Sequence, residues 1–195
     1  MLINNKKIIL SSNSPRRQQL LRDLGLEFEV KTMDTDESYP DNLDSEEVAT
    51  YLAEKKAGTF LPSLKKDEVL ITADTVVIAN NTILNKPLNE NEAFKMLELI
   101  NGKSHLVTTG VCIADMDKKF TFCDKTEVSF SKLSQEEIAY YISQFKPFDK
   151  AGAYGIQEWI GLVGIDCIKG SYYNVMGLPV NKVYQTLKAN YNLVL

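Results

Sequence analysis

The residues best suited to chemistry lie near the amino terminus, where positions 10–17 read LSSNSPRR. Proline has no N–H group and is favoured at the first position of a helix, so the pattern predicts Ser14 as the N-cap and Pro15 as the helix start. Arg16 and Arg17 then fall in the first turn, where the helix dipole disfavours cations unless an anion is bound. Serine hydroxyls, helix N–H groups and two guanidinium groups in one place indicate a phosphate site, although both arginines could instead pair with surface carboxylates.

A second candidate is Asp74, an acidic residue inside a β-prone run. It follows the apolar residues 69–71 and precedes the apolar residues 76–78. Burying an unpaired charge is costly, so such an acid is usually paired with a cation, bound to a metal or catalytic; the alternative is a turn-forming aspartate. Asp36 or Glu37 could supply a second oxygen ligand for magnesium, although an acidic loop is more often only solvated.

Two lysines and one amide complete the candidate set. Lys56 and Lys86 are each typical of a surface, but together with the two arginines they would supply four cations for a polyphosphate. Gln157 lies in a glycine-rich segment that permits close backbone approach, and its amide can both donate and accept, so it could read the edge of a base. The single histidine, His105, falls in an expected strand, and we interpret it as a structural or surface residue.

Composition narrows the classes of protein. The 195 residues, 44% of them hydrophobic, suffice for one large domain or one domain with two lobes. A net charge of −4 argues against general attraction to nucleic acid, and three cysteines without a CxxC pair indicate a reducing cytosol. The sequence has no signal-peptide core, no bilayer-length apolar run and no P-loop, GxGxxG or HExxH motif, so we expect a cytoplasmic protein without a membrane partner.

Helix and strand signals alternate along the chain and predict an α/β fold with a mixed sheet. Helices are expected at residues 15–24, from a capping box at Asp44 and Glu47 to Gly58, from Asn89 to about Gly102, after Ser134 and from about Pro179. Strands are expected at residues 7–10, 26–31, 105–114, 120–130 and 165–168. The β-prone run from residue 68 is expected to be interrupted at 73–75 and to turn at 80–81, and residues 33–42 to form an exposed loop.

Taken in chain order, these motifs resemble the Maf family of nucleoside triphosphate pyrophosphatases along nearly the whole sequence. The matching segments are SNSPRR at 12–17, Lys56-Ala57 at a helix end, ADTVV at 73–77, LNKP at 84–87, DKAGAYGIQ at 149–157 and GSYYNVMGLP at 170–179. The resemblance implies a single domain over residues 1–195, with an elongated mixed β-sheet flanked by helices, two lobes and a central cleft, similar to inosine triphosphate pyrophosphatases. It also implies Mg²⁺-dependent or Mn²⁺-dependent cleavage of a small nucleotide between its α- and β-phosphates, with a homodimer possible and no nucleic-acid partner.

The resemblance further implies roles for individual residues. Asp74 matches the family's proton acceptor and, with Glu37, would hold the metal. Positions that match substrate choice are Arg16, Thr75 and Gln157, and positions that line the triphosphate are Ser12, Arg17, Lys56 and Lys86. Gln157 is similar to the branch that acts on dTTP, UTP and modified uridine nucleotides, whereas Asn13 and Glu158-Trp159 depart from the common pattern. The alternative is a non-catalytic nucleotide sensor linked to septum formation, but a sensor has less use for an acid beside a triphosphate.

Overall fold

The structure is a computed structural model in which residues 2–3 and 6–194 are described. The strands are β1 (Leu2–Ile3), β2 (Lys7–Leu10), β3 (Phe28–Val30), β4 (Glu68–Ala79), β5 (Thr82–Leu84), β6 (Ser104–Ala114), β7 (Lys119–Phe130), β8 (Ile165–Lys169) and β9 (Leu193–Val194). The helices are α1 (Pro15–Asp23), α2 (Val48–Phe60), α3 (Glu90–Ile100), α4 (Gln135–Phe145), α5 (Trp159–Val163), α6 (Tyr172–Met176) and α7 (Val180–Tyr191). Short 3₁₀ turns lie at Leu61–Ser63 and Ala151–Ala153.

Most strands in the described residues form a mixed sheet, in the order β3-β2-β4-β6-β7-β8 with β5 paired to β4. Strand β2 is parallel to both of its neighbours, with Ile8 opposite Phe28 on β3 and Val69 on β4. Strand β5 is antiparallel to β4, and β8 is antiparallel to β7. The α/β class with a mixed sheet is therefore confirmed, whereas the elongated outline and the central cleft stay predictions.

Within the described residues, the chain divides into two compact units, and the single domain expected from the resemblance stays a prediction. Unit 1 comprises Met1–Asp74, Thr109–Asp124 and Gly177–Leu195. Its core forms where one face of α2 packs on the sheet. Ile9 of β2 and Leu70 of β4 are fully buried against Ala53, Ala57 and Phe60 of α2. Close packing of small side chains therefore places α2 directly over these strands.

Unit 2 comprises Thr75–Thr108 and Lys125–Met176. Its core lies around α3 and α4, where Leu97 and Ile100 pack with Tyr141 and Ile142. The glycine-rich segment that ends at Gln157 borders this core, because Ala153, Tyr154 and Ile156 are buried in the same cluster. No helix in residues 2–3 and 6–194 combines the length and the apolar character needed to cross a membrane.

Three predicted helix starts are confirmed by side-chain caps. The Ser14 hydroxyl accepts from the Arg17 N–H at 3.4 Å, and Asn89 Oδ1 accepts from the Glu92 N–H at 3.0 Å. Ser134 makes a complete capping box at the start of α4. These residues satisfy N–H groups that have no partner inside their helices, so the local sequence is sufficient to predict where these three helices begin.

Three predictions about the bounds of elements are wrong. The capping box at Asp44 and Glu47 does not form, because Asp44 Oδ1 accepts from the Glu46 N–H at 2.9 Å in a turn, and α2 begins only at Val48. The helix then continues past Gly58 to Phe60, so Lys56 lies in its interior rather than at its end. Strand β4 is likewise continuous through residues 73–75, where an interruption was expected, because strand pairing outweighs the low β-propensity of aspartate.

Candidate active site

The first element of the site is the turn between β2 and α1. Ser12 is 8% exposed, and its hydroxyl accepts from the Ser14 N–H at 3.2 Å. Pro15 occupies the first helical position, as the sequence predicts. The turn thus brings a serine hydroxyl to a helix N-terminus, where N–H groups and the helix dipole favour an anion. Arg16 and Arg17 follow in the first turn and are both half-buried.

Arg17 binds the protein's own backbone more than the sequence suggested. Its Nη1 donates to the Ala73 carbonyl at 2.9 Å and lies 3.4 Å from the Ser12 hydroxyl, while Nε donates to the Gly177 carbonyl at 2.7 Å. Hydrogen bonds from a charged donor are roughly twice as strong as neutral ones. Arg17 therefore ties the start of α1 to β4 and to the start of the last segment of unit 1, and its phosphate-binding role stays a prediction.

The charges around Arg17 show that the acidic residues of the site are close to it. Burial lowers the pKa of the Arg17 guanidinium from its ordinary value, and the neighbouring charge of Arg16 acts in the same direction. The charges of Asp74 and Glu37 oppose that shift. Arginine stays protonated in proteins, so Arg17 places a fixed positive charge beside two carboxylates.

The centre of the site is an ammonium group between two carboxylates. Lys56 Nζ lies 2.5 Å from Asp74 Oδ1 and 2.7 Å from Glu37 Oε1. The Asp74 and Lys56 side chains are 14% and 17% exposed, whereas Glu37 is 54% exposed. Because Asp74 is mostly shielded from water, its charge requires the cation that Lys56 supplies. Of the alternatives that the sequence left open for Asp74, the structure shows pairing with a cation, and the two partners lie on separate elements.

Two neighbouring contacts position this triad. The buried Thr72 hydroxyl donates to the Ala53 carbonyl at 2.7 Å, which links β4 to α2 one turn before Lys56. Lys55 donates to Asp36 Oδ2 at 2.9 Å and to the Ser38 carbonyl at 2.7 Å, and these bonds hold the loop that carries Glu37. Hydrogen bonds from Ser38 and Lys55 keep the pKa of the Asp36 carboxyl well below its ordinary range.

The donor set fits a small divalent cation. Asp74 and Glu37 offer hard carboxylate oxygens and already share one positive neighbour, Lys56. Magnesium in proteins is usually bound through one or two carboxylates, with water and substrate phosphates completing its shell. In the part of the chain that the structure describes, no three histidine, cysteine, aspartate or glutamate side chains are grouped to hold a metal. The metal site stays a prediction with Asp74 and Glu37 as its ligands.

The remaining predicted site residues belong to unit 2. Thr75 follows Asp74 on β4, and Lys86 and Gln157 are both exposed on loops. The Asn85 carbonyl accepts from the Gly152 N–H at 3.3 Å, so the loop of Lys86 contacts the glycine-rich segment before Gln157. Gly152 has φ +69°, and an added Cβ would lie 2.9 Å from Val77 Cγ1, so a side chain there would be strained.

His105 is a core residue of unit 2, so of the two roles expected from the sequence the structural one is confirmed and the surface one is wrong. It is 4% exposed, its Nε2 lies 2.7 Å from the Tyr154 hydroxyl, and its ring contacts Phe130. Burial lowers the pKa of His105 to about 4, so the ring is neutral at pH 7.

Sequence reasoning missed the polar contacts around Gln157. Glu158 accepts from the buried Tyr141 hydroxyl, and its Oε1 lies 3.1 Å from Lys150 Nζ. The charges of Lys150 and Glu158 on either side of a glycine-rich segment were the available signal, but their pairing depends on the tertiary fold.

Comparison with known proteins gives the family. The family model described as Maf-like protein matches residues 7–190. The chain belongs to the Maf-like family. The dTTP/UTP pyrophosphatase of Parabacteroides distasonis is similar to this Maf-like chain, with 52% identity over 191 residues that cover 96% of the chain and 99% of the relative. That of Flavobacterium psychrophilum is 49% identical over 180 residues, which cover 92% of each protein.

The solved structure of the Staphylococcus aureus Ham1 protein has a similar fold. It matches this Maf-like chain with a TM-score of 0.51 and 13% identity, over 94% of this chain and 99% of that protein. At this level of identity the likeness concerns the fold alone, because one fold hosts many activities.

Proposed function

We propose that this protein is a nucleoside triphosphate pyrophosphatase that hydrolyses dTTP and UTP to the nucleoside monophosphate and pyrophosphate. The observation that carries the proposal is the triad of Asp74, Lys56 and Glu37, which lies in a unit that also presents a serine-lined helix N-terminus. Two relatives that are about half identical over nearly their whole length bear the name dTTP/UTP pyrophosphatase. We also propose that it acts in the cytoplasm.

The proposed reaction breaks the bond between the α-phosphorus and the oxygen that bridges it to the β-phosphorus. A water oxygen bonds to the α-phosphorus, its proton passes to the Asp74 carboxylate, and the electron pair of the broken bond leaves on pyrophosphate. A divalent cation, when bound, supplies charge neutralisation at the phosphates and increases the acidity of a nearby water. General base catalysis of this kind contributes about 10²- to 10⁴-fold.

The other residues of the site would act on the triphosphate by electrostatic stabilisation. Lys56 would carry charge that offsets the leaving pyrophosphate, as the resemblance implies for Lys86, and Ser12 with the start of α1 would receive a phosphate group. Phosphoryl transfer needs positioned charge more than a covalent nucleophile, so a chain whose single histidine is buried can still catalyse it. Arg16, Thr75 and Gln157 would govern the choice of nucleotide.

Product analysis in ¹⁸O-labelled water tests this proposal. The protein is incubated with Mg²⁺ and each common nucleoside triphosphate, and the products are identified by ³¹P NMR and mass spectrometry. We expect dTTP and UTP to react fastest and to yield pyrophosphate, with the label in the monophosphate. Orthophosphate with a nucleoside diphosphate would contradict the bond assignment, and binding without turnover would favour a nucleotide sensor.

A further inference from the structure

A buried polar contact set in unit 2 surrounds the segment that carries Gln157. The Tyr141 side chain is fully buried on α4, and its hydroxyl oxygen makes two hydrogen bonds. It accepts from the Gly155 N–H at 3.0 Å and donates to Glu158 Oε2. One hydroxyl thus holds the residues on both sides of the Ile156-Gln157 pair.

An ion pair between Lys150 and Glu158 adds to these buried contacts. Lys150 Nζ lies 3.1 Å from Glu158 Oε1 and 2.7 Å from Asp149 Oδ1, and the Lys150 side chain is only 9% exposed. The Glu158 side chain is 18% exposed, so its carboxylate is largely removed from water. Burial, together with the hydrogen bond to Glu158, raises the pKa of the Tyr141 phenol above its ordinary value. The hydroxyl therefore keeps its proton and its donor role at any physiological pH.

The absence of a side chain at Gly155 lets two functional groups converge. A Cβ built on Gly155 would lie 2.8 Å from the Glu158 carboxyl carbon and 3.0 Å from Gln157 Nε2. The Gln157 amide and the Glu158 carboxylate therefore lie over the same backbone position. Whatever holds Glu158 in place also limits where the Gln157 amide can point.

We propose that Tyr141, Lys150 and Glu158 form a clamp that positions the Gln157 amide and thereby sets nucleobase selectivity. This inference rests on the proposed function, in which Gln157 reads the base. The three clamp residues are positioning residues, because they act through Gln157. The buried hydroxyl is the key member, since it contacts both ends of the held segment. Tyr154, which immediately precedes Gly155, is held in addition by its hydrogen bond with His105.

The test compares Tyr141→Phe with the matched control Tyr140→Phe. The control removes a hydroxyl from the neighbouring residue of α4, which is 50% exposed. We expect Tyr141→Phe to lower kcat/KM for dTTP by about tenfold, as the loss of a buried hydrogen bond would, mainly through KM. The ratio of kcat/KM for dTTP over dCTP should fall in parallel, whereas Tyr140→Phe should leave both values unchanged.

A second variant and a direct readout separate positioning from unfolding. Gly155→Ala keeps Tyr141 but places a methyl group against the Gln157 amide, so it should reduce the dTTP over dCTP ratio as well. Hydrogen exchange at the Gly155 amide should be faster in Tyr141→Phe, with the melting temperature used to confirm folding. The emission of Trp159, the single tryptophan of the chain, should change with it.

The outcomes distinguish this inference from the function on which it rests. If the unaltered protein hydrolyses no nucleoside triphosphate, the proposed function fails and the selectivity role fails with it. If the unaltered protein prefers dTTP and Tyr141→Phe retains the same preference, the clamp is overturned while the function stands. A loss of kcat that is equal for every nucleotide would also overturn the clamp, because it would indicate a general structural defect.

Discussion

At the scale of single residues, Lys56 can pair with the carboxylates of the site or with a phosphate of the substrate, and these two pairings compete. Its ammonium group lies between Asp74 and Glu37, which are the carboxylates that we expect to bind a divalent cation. A nucleotide that arrives with its own metal offers Lys56 a phosphate instead. In this interpretation, Lys56 offsets part of the negative charge of the two carboxylates until substrate arrives, and the nearby Arg17 stays engaged with the Ala73 and Gly177 carbonyls.

Replacement of Lys56 by glutamine tests this competition. Two carboxylates without their ammonium group should bind Mn²⁺ more tightly in the absence of nucleotide, by about tenfold, because like charges that are close together favour a shared cation. Hydrolysis of dTTP should fall at the same time. The measurement is the titration of free Mn²⁺ by electron paramagnetic resonance.

The neighbouring lysine of α2 provides the control for that experiment. Lys55→Gln removes contacts to Asp36 and Ser38 but leaves Lys56 in place, so it should not tighten Mn²⁺ binding. Equal or weaker Mn²⁺ affinity in Lys56→Gln than in the unaltered protein would contradict the competition.

At the scale of elements, the site depends on how closely α2 lies against the sheet. Gly110 of β6 is buried under the start of α2, and a Cβ built there would lie 2.4 Å from the Ala49 backbone. The hydrogen bond from Thr72 to the Ala53 carbonyl links the same helix to β4. These contacts place Lys56 within reach of Asp74.

Alanine substitutions at two glycines test this packing. Gly110→Ala should lower the free energy of unfolding by about 3 kcal/mol or more, because backbone atoms cannot move aside as a flexible side chain would. Gly58→Ala should raise it by about 0.5–1 kcal/mol, since this helical glycine is exposed and has open space around it. Urea denaturation measures both values. A neutral Gly110→Ala would show that α2 is not held by close approach.

The helix caps and strand β4 show which parts of the fold could be predicted from the sequence. Ser14 and Asn89 were predictable as caps because each bonds an N–H three residues further on. The capping box predicted at Asp44 does not form, because Asp44 accepts from the Glu46 N–H in a turn that competes with the helix. The continuity of β4 through Asp74 could not be read locally, because neighbouring strands determine it.

In the candidate site, too, the residue types could be predicted from the sequence but their contacts in space could not. The sequence identified Asp74, Lys56 and Glu37 as separate candidates, and their residue types already suggested a carboxylate and cation site. Their joint contact could not be derived, because it depends on α2, β4 and a loop meeting in space. The engagement of Arg17 with the Gly177 carbonyl joins residues far apart in the chain and had no sequence signal.

At the scale of the whole molecule, pH should act on stability through His105. Its pKa is about 4 in the folded protein and 6.5 as an ordinary value, so between these pH values the unfolded chain binds more protons. The contribution of neutral His105 to the free energy of unfolding is complete above pH 6.5 and is lost as the pH falls toward 4. The total loss is about 3 kcal/mol, at 1.36 kcal/mol for each pKa unit.

The variant His105→Gln isolates this contribution from that of the carboxylates. Its free energy of unfolding, measured by urea denaturation at several pH values, should fall less steeply between pH 6.5 and 4 than that of the unaltered protein. Identical slopes for the two proteins would contradict a buried neutral histidine.

The fold of the whole molecule is shared with a protein of low sequence identity. The Ham1 protein of Staphylococcus aureus has a similar fold at 13% identity, whereas the named pyrophosphatases are about half identical to this chain. A mixed sheet with flanking helices tolerates many sequences, because its core requires only apolar residues in the correct pattern. The activity must therefore be tested at particular residues.

The role of Asp74 as general base is tested by the turnover of dTTP by Asp74→Asn, with Asp67→Asn as the control. The control makes the same change in an exposed aspartate immediately before β4. Because Asp74 is the proposed general base, we expect kcat of Asp74→Asn to fall by at least about 10²-fold while that of Asp67→Asn is unaffected. An Asp74→Asn variant that retains the kcat of the unaltered protein would show that Asp74 is not the general base.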